Sequence, residues 1–257
     1  MPTEEEQHLA VVEEKVRQLL SLADQILSVR EHINQELARQ YERFSATLRS
    51  RVLIGLSLKT LDSFDRLVVD ARQVRAECSH HLKTMTEGFI YSHWVTRDSG
   101  EGRARLMCAE GYRSRASYHK SLGEEGHAEQ WRQLQYRTIE GIRAEWNTFT
   151  KTKIKDIARQ AGVEGHYHQV YKMACEAAHM GDLMVYMPPQ PQEPGLRFAD
   201  LSLFKTYICL KFGTILACDF LHDASDSLTM NLNQELDGLR GRWSLIVALA
   251  PRTSESR

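Results

Sequence analysis

Leu9-Ala-Val-Val-Glu-Glu-Lys-Val-Arg-Gln-Leu-Leu-Ser-Leu-Ala-Asp-Gln-Ile26 places apolar side chains at three- and four-residue steps with charges between them, the pattern of an amphipathic helix. The stripe continues through Ile33, Leu37, Tyr41 and Phe44 to Leu48. Thr3 followed by Glu6 supplies a capping-box start. The spacing predicts one helix over Glu4 to Arg49, or two joined near Val29 to Glu31. Such a helix is longer than an ordinary globular one, so it either lies along a bundle or pairs with a second copy. Residues 1–50 are accordingly read as a helical arm and a candidate dimerisation element that would make the protein a homo-oligomer.

Helical spacing persists outward from this stretch. Further helices are expected over Leu53 to about Ala76, Cys78 to Val95, Gly102 to Leu122, Ala128 to Phe149 and Ile154 to Ala161, the last closed by Gly162. A helix over Tyr167 to Met187 is stopped by Pro188-Pro189, and two more follow over Phe198 to His222 and Ala224 to Leu249. Residues 188–195 hold four of the six prolines and read as an extended connector. The tail, 251–257, reads as disordered. With 42% hydrophobic residues and only 15 glycines, the chain can bury a sizeable core and has the low breaker content of a helical protein. The expected fold is all-α: a multi-helix bundle over 51–250 with a long N-terminal amphipathic arm.

A net charge of -1 argues against wholesale electrostatic capture of nucleic acid or of an anionic membrane. Five cysteines, an odd number without a C-x2-C pair, read as reduced core residues of a cytoplasmic protein. The acidic Met-Pro-Thr-Glu-Glu-Glu start does not read as an export signal, and the apolar runs fall short of the ~20 residues that span a bilayer. Neither a membrane nor a cofactor is expected.

The chemistry concentrates on Tyr171-Lys-Met-Ala-Cys-Glu-Ala-Ala-His179, where Tyr171, Cys175 and His179 recur every four residues and share one helical stripe. Trp146, then Ile154-Lys-Asp-Ile-Ala158, Gly162 and Tyr167-x3-Tyr171-x3-Cys175-x3-His179 resemble the bacterial domain of unknown function 5677 family. That family carries a tryptophan, a short helix and a Y-x3-Y-x3-S-x3-H helix; cysteine stands here at the serine position. Lys83-Thr-Met-Thr-Glu87, followed by Phe89-Ile-Tyr91 and Trp94, sits where the family has an R-x3-E helix, with lysine for arginine. The resemblance spans roughly Leu53 to His222 and implies an all-helical domain whose activity is not established. If the two helices are adjacent, Glu87 or Tyr171 would fix the tautomer of His179 and leave its other nitrogen free for proton transfer or phosphate contact. Cys175, one turn from His179, is the candidate nucleophile of that stripe. A satisfied interhelical hydrogen-bond network is the bland alternative.

A second, weaker resemblance rests on Arg75-Ala-Glu-Cys-Ser-His80, which fits the R-x4–6-H motif of HEPN ribonucleases. It implies metal-independent RNA cleavage of toxin or phage-defence type, with Arg75 and His80 in the site. Arg75/His81, Arg113/His119 and Arg159/His166 fit the same short pattern. Arg113, Arg115, Lys151, Lys153 and Lys155, interleaved with aromatic residues, are the candidate RNA-binding surface. Two further classes stay open. One is a non-enzymatic protein-interaction or oligomerisation module. The other is a di-iron carboxylate protein, suggested by the E-x2-H pairs Glu77/His80 and Glu176/His179 on predicted helices, with Glu5/His8 at a helix start and Glu124/His127 in a turn matching the same pattern, and with Glu36, Glu110, Glu140 and Glu145 as further carboxylates. No metal ligand set is singled out.

Overall fold

The computed structural model describes residues 4–75, 77–178, 198–228 and 230–248. Their regular structure is entirely helical, as the periodicity predicts. In chain order the helices are α1 (Glu4–Arg39), α2 (Tyr41–Phe44), α3 (Leu48–Arg72), α4 (Cys78–Thr96), α5 (Gly102–Ser121), α6 (Glu125–Thr138), α7 (Arg143–Phe149), α8 (Ile154–Ala161), α9 (Glu164–His166), a single π-helical turn (Tyr167–Tyr171), α10 (Lys172–Ala178), α11 (Phe198–Leu228) and α12 (Asn233–Ala248). No described helix is long and apolar enough to cross a membrane. The expected connector at 188–195 and tail at 251–257 lie outside the described residues, as does His179.

The chain forms two compact units. One comprises the described residues of Met1–Gln40, Ser57–Phe89 and Gly165–Arg257, the other Tyr41–Leu56 and Ile90–Glu164. The first unit includes most of the arm read from the sequence, because α1 spends its apolar stripe there. Leu19, Leu22, Ala23 and Ile26 are fully buried, and α1 packs along α11 and meets α12. The helix ends at Arg39 rather than running to Arg49, and the break falls at Gln40 to Thr47 instead of near Val29. Ion pairs tie the same helix to α3: Arg30 binds Asp62 and Asp65, and Arg72 binds Asp24. On α11 the apolar Leu210, Leu216, Ala217 and Leu221 are buried, and Gly213 lets a Leu67 methyl of α3 and the Met85 sulfur of α4 come close.

Within the second unit, α5 and α6 form an antiparallel hairpin. Asp98 prepares the start of α5 by accepting backbone N–H bonds from Gly100 (3.1 Å) and Arg103 (2.7 Å). Those bonds hold its carboxyl below the usual range. Arg105 satisfies the carbonyls at the end of α6, donating to Thr138 O (3.0 Å) and Glu140 O (2.6 Å). Trp94 stacks on Phe149 with ring centroids 5.4 Å apart and donates its indole N–H to Gln160 at 2.9 Å.

Two expected helices are cut differently from the sequence reading. The stretch 128–149 is two helices, because the chain reverses through Gly141 at φ +78°, where a glycine has no Cβ to clash. The break expected at Asp223 falls instead before Asn233, with Asn231 at φ +56°, a conformation asparagine tolerates better than most residues. Gly162, at φ +69°, closes α8 as expected.

Close packing of α4 depends on Gly88, where an added Cβ would fall on the Thr60 hydroxyl of α3. Gly88→Ala should cost about 1–3 kcal/mol of unfolding free energy, the usual penalty of overpacking, read by urea denaturation followed by circular dichroism. Adding Thr60→Ala should restore most of it; additive losses in the double variant would show that this contact is not the cause.

Candidate functional site

Helix α4 turns His80, Lys83 and Glu87 to one stripe, since steps of three and four residues return to the same face. Residues elsewhere on the helix anchor it: Leu82, Met85, Thr86 and Ile90 are buried. His80 is exposed on the first turn, and Lys83 and Glu87 are half-buried. Phe89 fixes the far end by packing on the His166 ring, with centroids 4.6 Å apart, and edge-on against Phe220.

Opposite Glu87 stands the π-helical turn. Lys172 donates its N–H to Tyr167 O, five residues back, so one extra residue is accommodated and the regular helical ladder is interrupted. Tyr167 stacks on Tyr171 at 5.4 Å between centroids. The Tyr171 hydroxyl donates to Glu87 Oε1 at 2.9 Å, bridging residues 84 apart in sequence. Burial, the hydrogen bond with Cys175 and the Glu87 carboxylate, in that order, raise the Tyr171 phenol far above its usual value. It therefore stays a protonated hydrogen-bond donor at neutral pH. Cys175 is half-buried beside it.

Tyr171, Cys175, Glu87, Lys83 and His80 thus come from α4 and the π turn with α10, the two helical segments that the sequence motifs single out. Arg75 does not share a helix with His80. It lies in the connector after α3, exposed, with its guanidinium 3.7 Å from Asp70 Oδ1. The other oxygen of Asp70 is 3.1 Å from His81 Nε2, so the carboxylate joins Arg75 to His81 rather than to His80. Asp70 was not identified from the sequence, because the contact depends on the turn between α3 and α4, where Val74 takes φ +51°. The π turn left no periodic signal either, since Tyr167-x3-Tyr171 reads equally well as regular α-helix.

The expected basic surface is partly committed to structure. Arg113 forms a fork on Glu110 at 2.9 and 2.7 Å, and Arg115 lies 4.9 Å over the Trp131 ring. Lys151 and Lys153 are exposed, and Lys155 is half-buried. All five cysteines are free thiols. Burial pushes Cys78 and Cys218 up to about 12 and Cys209 higher, so these three behave as core residues. Among the described residues the one group of three or more ligand-type side chains that could hold an ion is His119, Glu124 and His127; it contains the E-x2-H pair Glu124/His127 and none of Glu36, Glu110, Glu140 and Glu145.

Fold and site together define an all-helical protein in which a carboxylate on one helix meets a tyrosine on a π turn of another. Residues 50–190, more than half of the chain, match the family of unknown function DUF5677, and the chain belongs to that family. No curated protein and no solved structure matches it.

A raised phenol carries a definite sign. The stability that Tyr171 contributes is present below the unfolded-state value near pH 10 and is lost as pH rises toward the higher folded value. In a spectrophotometric titration Tyr171→Phe should remove none of the tyrosinate absorbance that develops around pH 10. Loss of one tyrosine's share of that ordinary transition would contradict the placement.

Proposed function

We propose that the chain is a helical effector that acts on RNA without a metal ion or cofactor, of the type used in toxin and phage-defence systems, and that it works in the cytoplasm. The observation that carries the reading is the Tyr171–Glu87 hydrogen bond on a π turn, with Lys83 and His80 on the same stripe of α4. RNA offers a nucleophile that this set suits. A base takes the proton of the ribose 2′-hydroxyl, the freed oxygen attacks phosphorus, the P–O5′ bond breaks, and the leaving oxygen takes a proton from an acid. His80 is the candidate base, the protonated Tyr171 phenol the candidate acid, Glu87 its orienting partner and Lys83 the phosphate contact. His179 enters on sequence spacing alone, as the imidazole that completes the Tyr171 stripe. Arg75 supports phosphate binding from the neighbouring connector. Lys151 and Lys153 are the exposed lysines of the proposed RNA surface.

A non-enzymatic interaction module is the second reading, favoured by the same bond, since a satisfied Tyr–Glu pair also fixes helix register. Self-association through α1 would have to use its outward face, because Leu19, Leu22, Ala23 and Ile26 are buried within the chain.

The test is incubation of the purified protein with total cellular RNA, with and without EDTA, beside Tyr171→Phe, His80→Ala, Glu87→Gln and His179→Ala variants whose fold is checked by circular dichroism. The expected result is EDTA-resistant cleavage that falls by about 10²-fold or more in the variants, the scale of a lost general acid or base. Absence of cleavage by the parent protein, or variants that cleave as it does, overturns the proposal and favours the interaction module.

A further inference from the structure

The turn between α5 and α6 holds a group of side chains that the RNA reading does not use. His119 ends α5, Glu124 immediately precedes α6, and His127 lies in the first turn of α6, a spacing of H-x4-E-x2-H. The backbone fixes that turn. Glu124 N–H donates to His119 O at 3.0 Å, Gly123 N–H to Lys120 O at 3.0 Å, and Gly123 takes φ +75°. Three side chains brought together within one hairpin need no distant element to stay in register.

Their donor atoms converge. Glu124 Oε2 lies 2.6 Å from His119 Nδ1 and 3.5 Å from His127 Nδ1, and the ligand atoms of all three residues lie within 4.8 Å of one another. An ion with nitrogen and oxygen ligands at about 2.0–2.2 Å in tetrahedral directions requires donors roughly 3.3 Å apart, a spacing that small side-chain rotations reach from the observed one. The Trp131 ring stacks against His119 with centroids 6.4 Å apart and limits where that imidazole can swing.

We propose that the α5–α6 turn is a binding site for a divalent transition-metal ion of the zinc class, held by His119, Glu124 and His127 with a fourth position open to water. Two imidazoles and one carboxylate suit zinc, cobalt, nickel or copper; magnesium and calcium, which prefer oxygen donors throughout, do not fit the set. Three protein ligands with an open position give an ion that can polarise a bound water or group, and the ion also clamps the end of α5 to the start of α6. The site belongs to the second compact unit and goes beyond the RNA reading; either can fail alone.

The experiment is equilibrium dialysis of the full-length, untagged protein against zinc, with bound metal measured by mass spectrometry, and a parallel titration with cobalt followed by visible absorption and by quenching of tryptophan fluorescence. The expected result is one zinc per chain, tetrahedral cobalt bands, and quenching that is lost in Trp131→Phe. His127→Ala and Glu124→Gln, both at exposed positions and checked for fold by circular dichroism, should weaken binding by about tenfold or more, the scale of losing a ligand or its support. No bound ion overturns the proposal, since it leaves only a carboxylate pairing with two histidines. Undiminished binding in His127→Ala and in His119→Ala overturns it as well, since the ion would then sit elsewhere.

Discussion

A 36-residue amphipathic helix with one apolar stripe must cover that stripe, and how α1 does so sets the rest of the first unit. It lies along α11, the most apolar of the long helices, burying Leu19, Leu22, Ala23 and Ile26 completely. At about 25 cal/mol per Å² of apolar surface, Leu19, Leu22 and Ile26 each contribute on the order of 1.5–3 kcal/mol, so the seam carries far more than the ion pairs that flank it. Arg30 and Asp24 then set how α3 lies beside α1, and Gly213 and Gly88 remove the side chains that would hold α3, α4 and α11 apart.

On this packed base α4 offers its outer stripe. A carboxylate at Glu87 is tolerable there because it is only half-buried and accepts the Tyr171 hydroxyl. The π turn is the local departure from regular helix that goes with this arrangement, and such insertions cost stability unless the surroundings hold them. Stacking of Tyr167 on Tyr171 and packing of His166 on Phe89 supply that support. The two halves of the sequence motif are thereby linked by one hydrogen bond.

Much of this was legible in the chain. Apolar residues at three- and four-residue steps from Leu9 to Leu37 predict helix because that period is a property of local geometry, and Gly162 marks the end of α8 because a left-handed residue is needed there. The motifs marked both helices but offered Glu87 and Tyr171 each as the partner of His179; that the two bond each other required the tertiary structure. Other features had no local signature. The stripe of α1 reads the same whether it faces α11 or a second chain, so the fate of the arm required the tertiary structure. Gly141 and Asn231 break helices at points where apolar spacing runs on undisturbed. His119, Glu124 and His127 were visible only as one short pair in a turn, because H-x4-E places the first ligand across a reversal of the chain. Asp70 joins Arg75 to His81 through a connector whose path no spacing rule supplies.

The central claim is that the α1 seam is part of the folded core and not a separable arm. It is tested most directly by Ile26→Asp, examined by urea denaturation and by sedimentation equilibrium over a range of protein concentrations. The account predicts a loss of more than about 4 kcal/mol, or no cooperative transition at all, because the substitution buries an unpaired charge in the packed interface. A variant that keeps the parent's unfolding midpoint and changes only its state of association would contradict it.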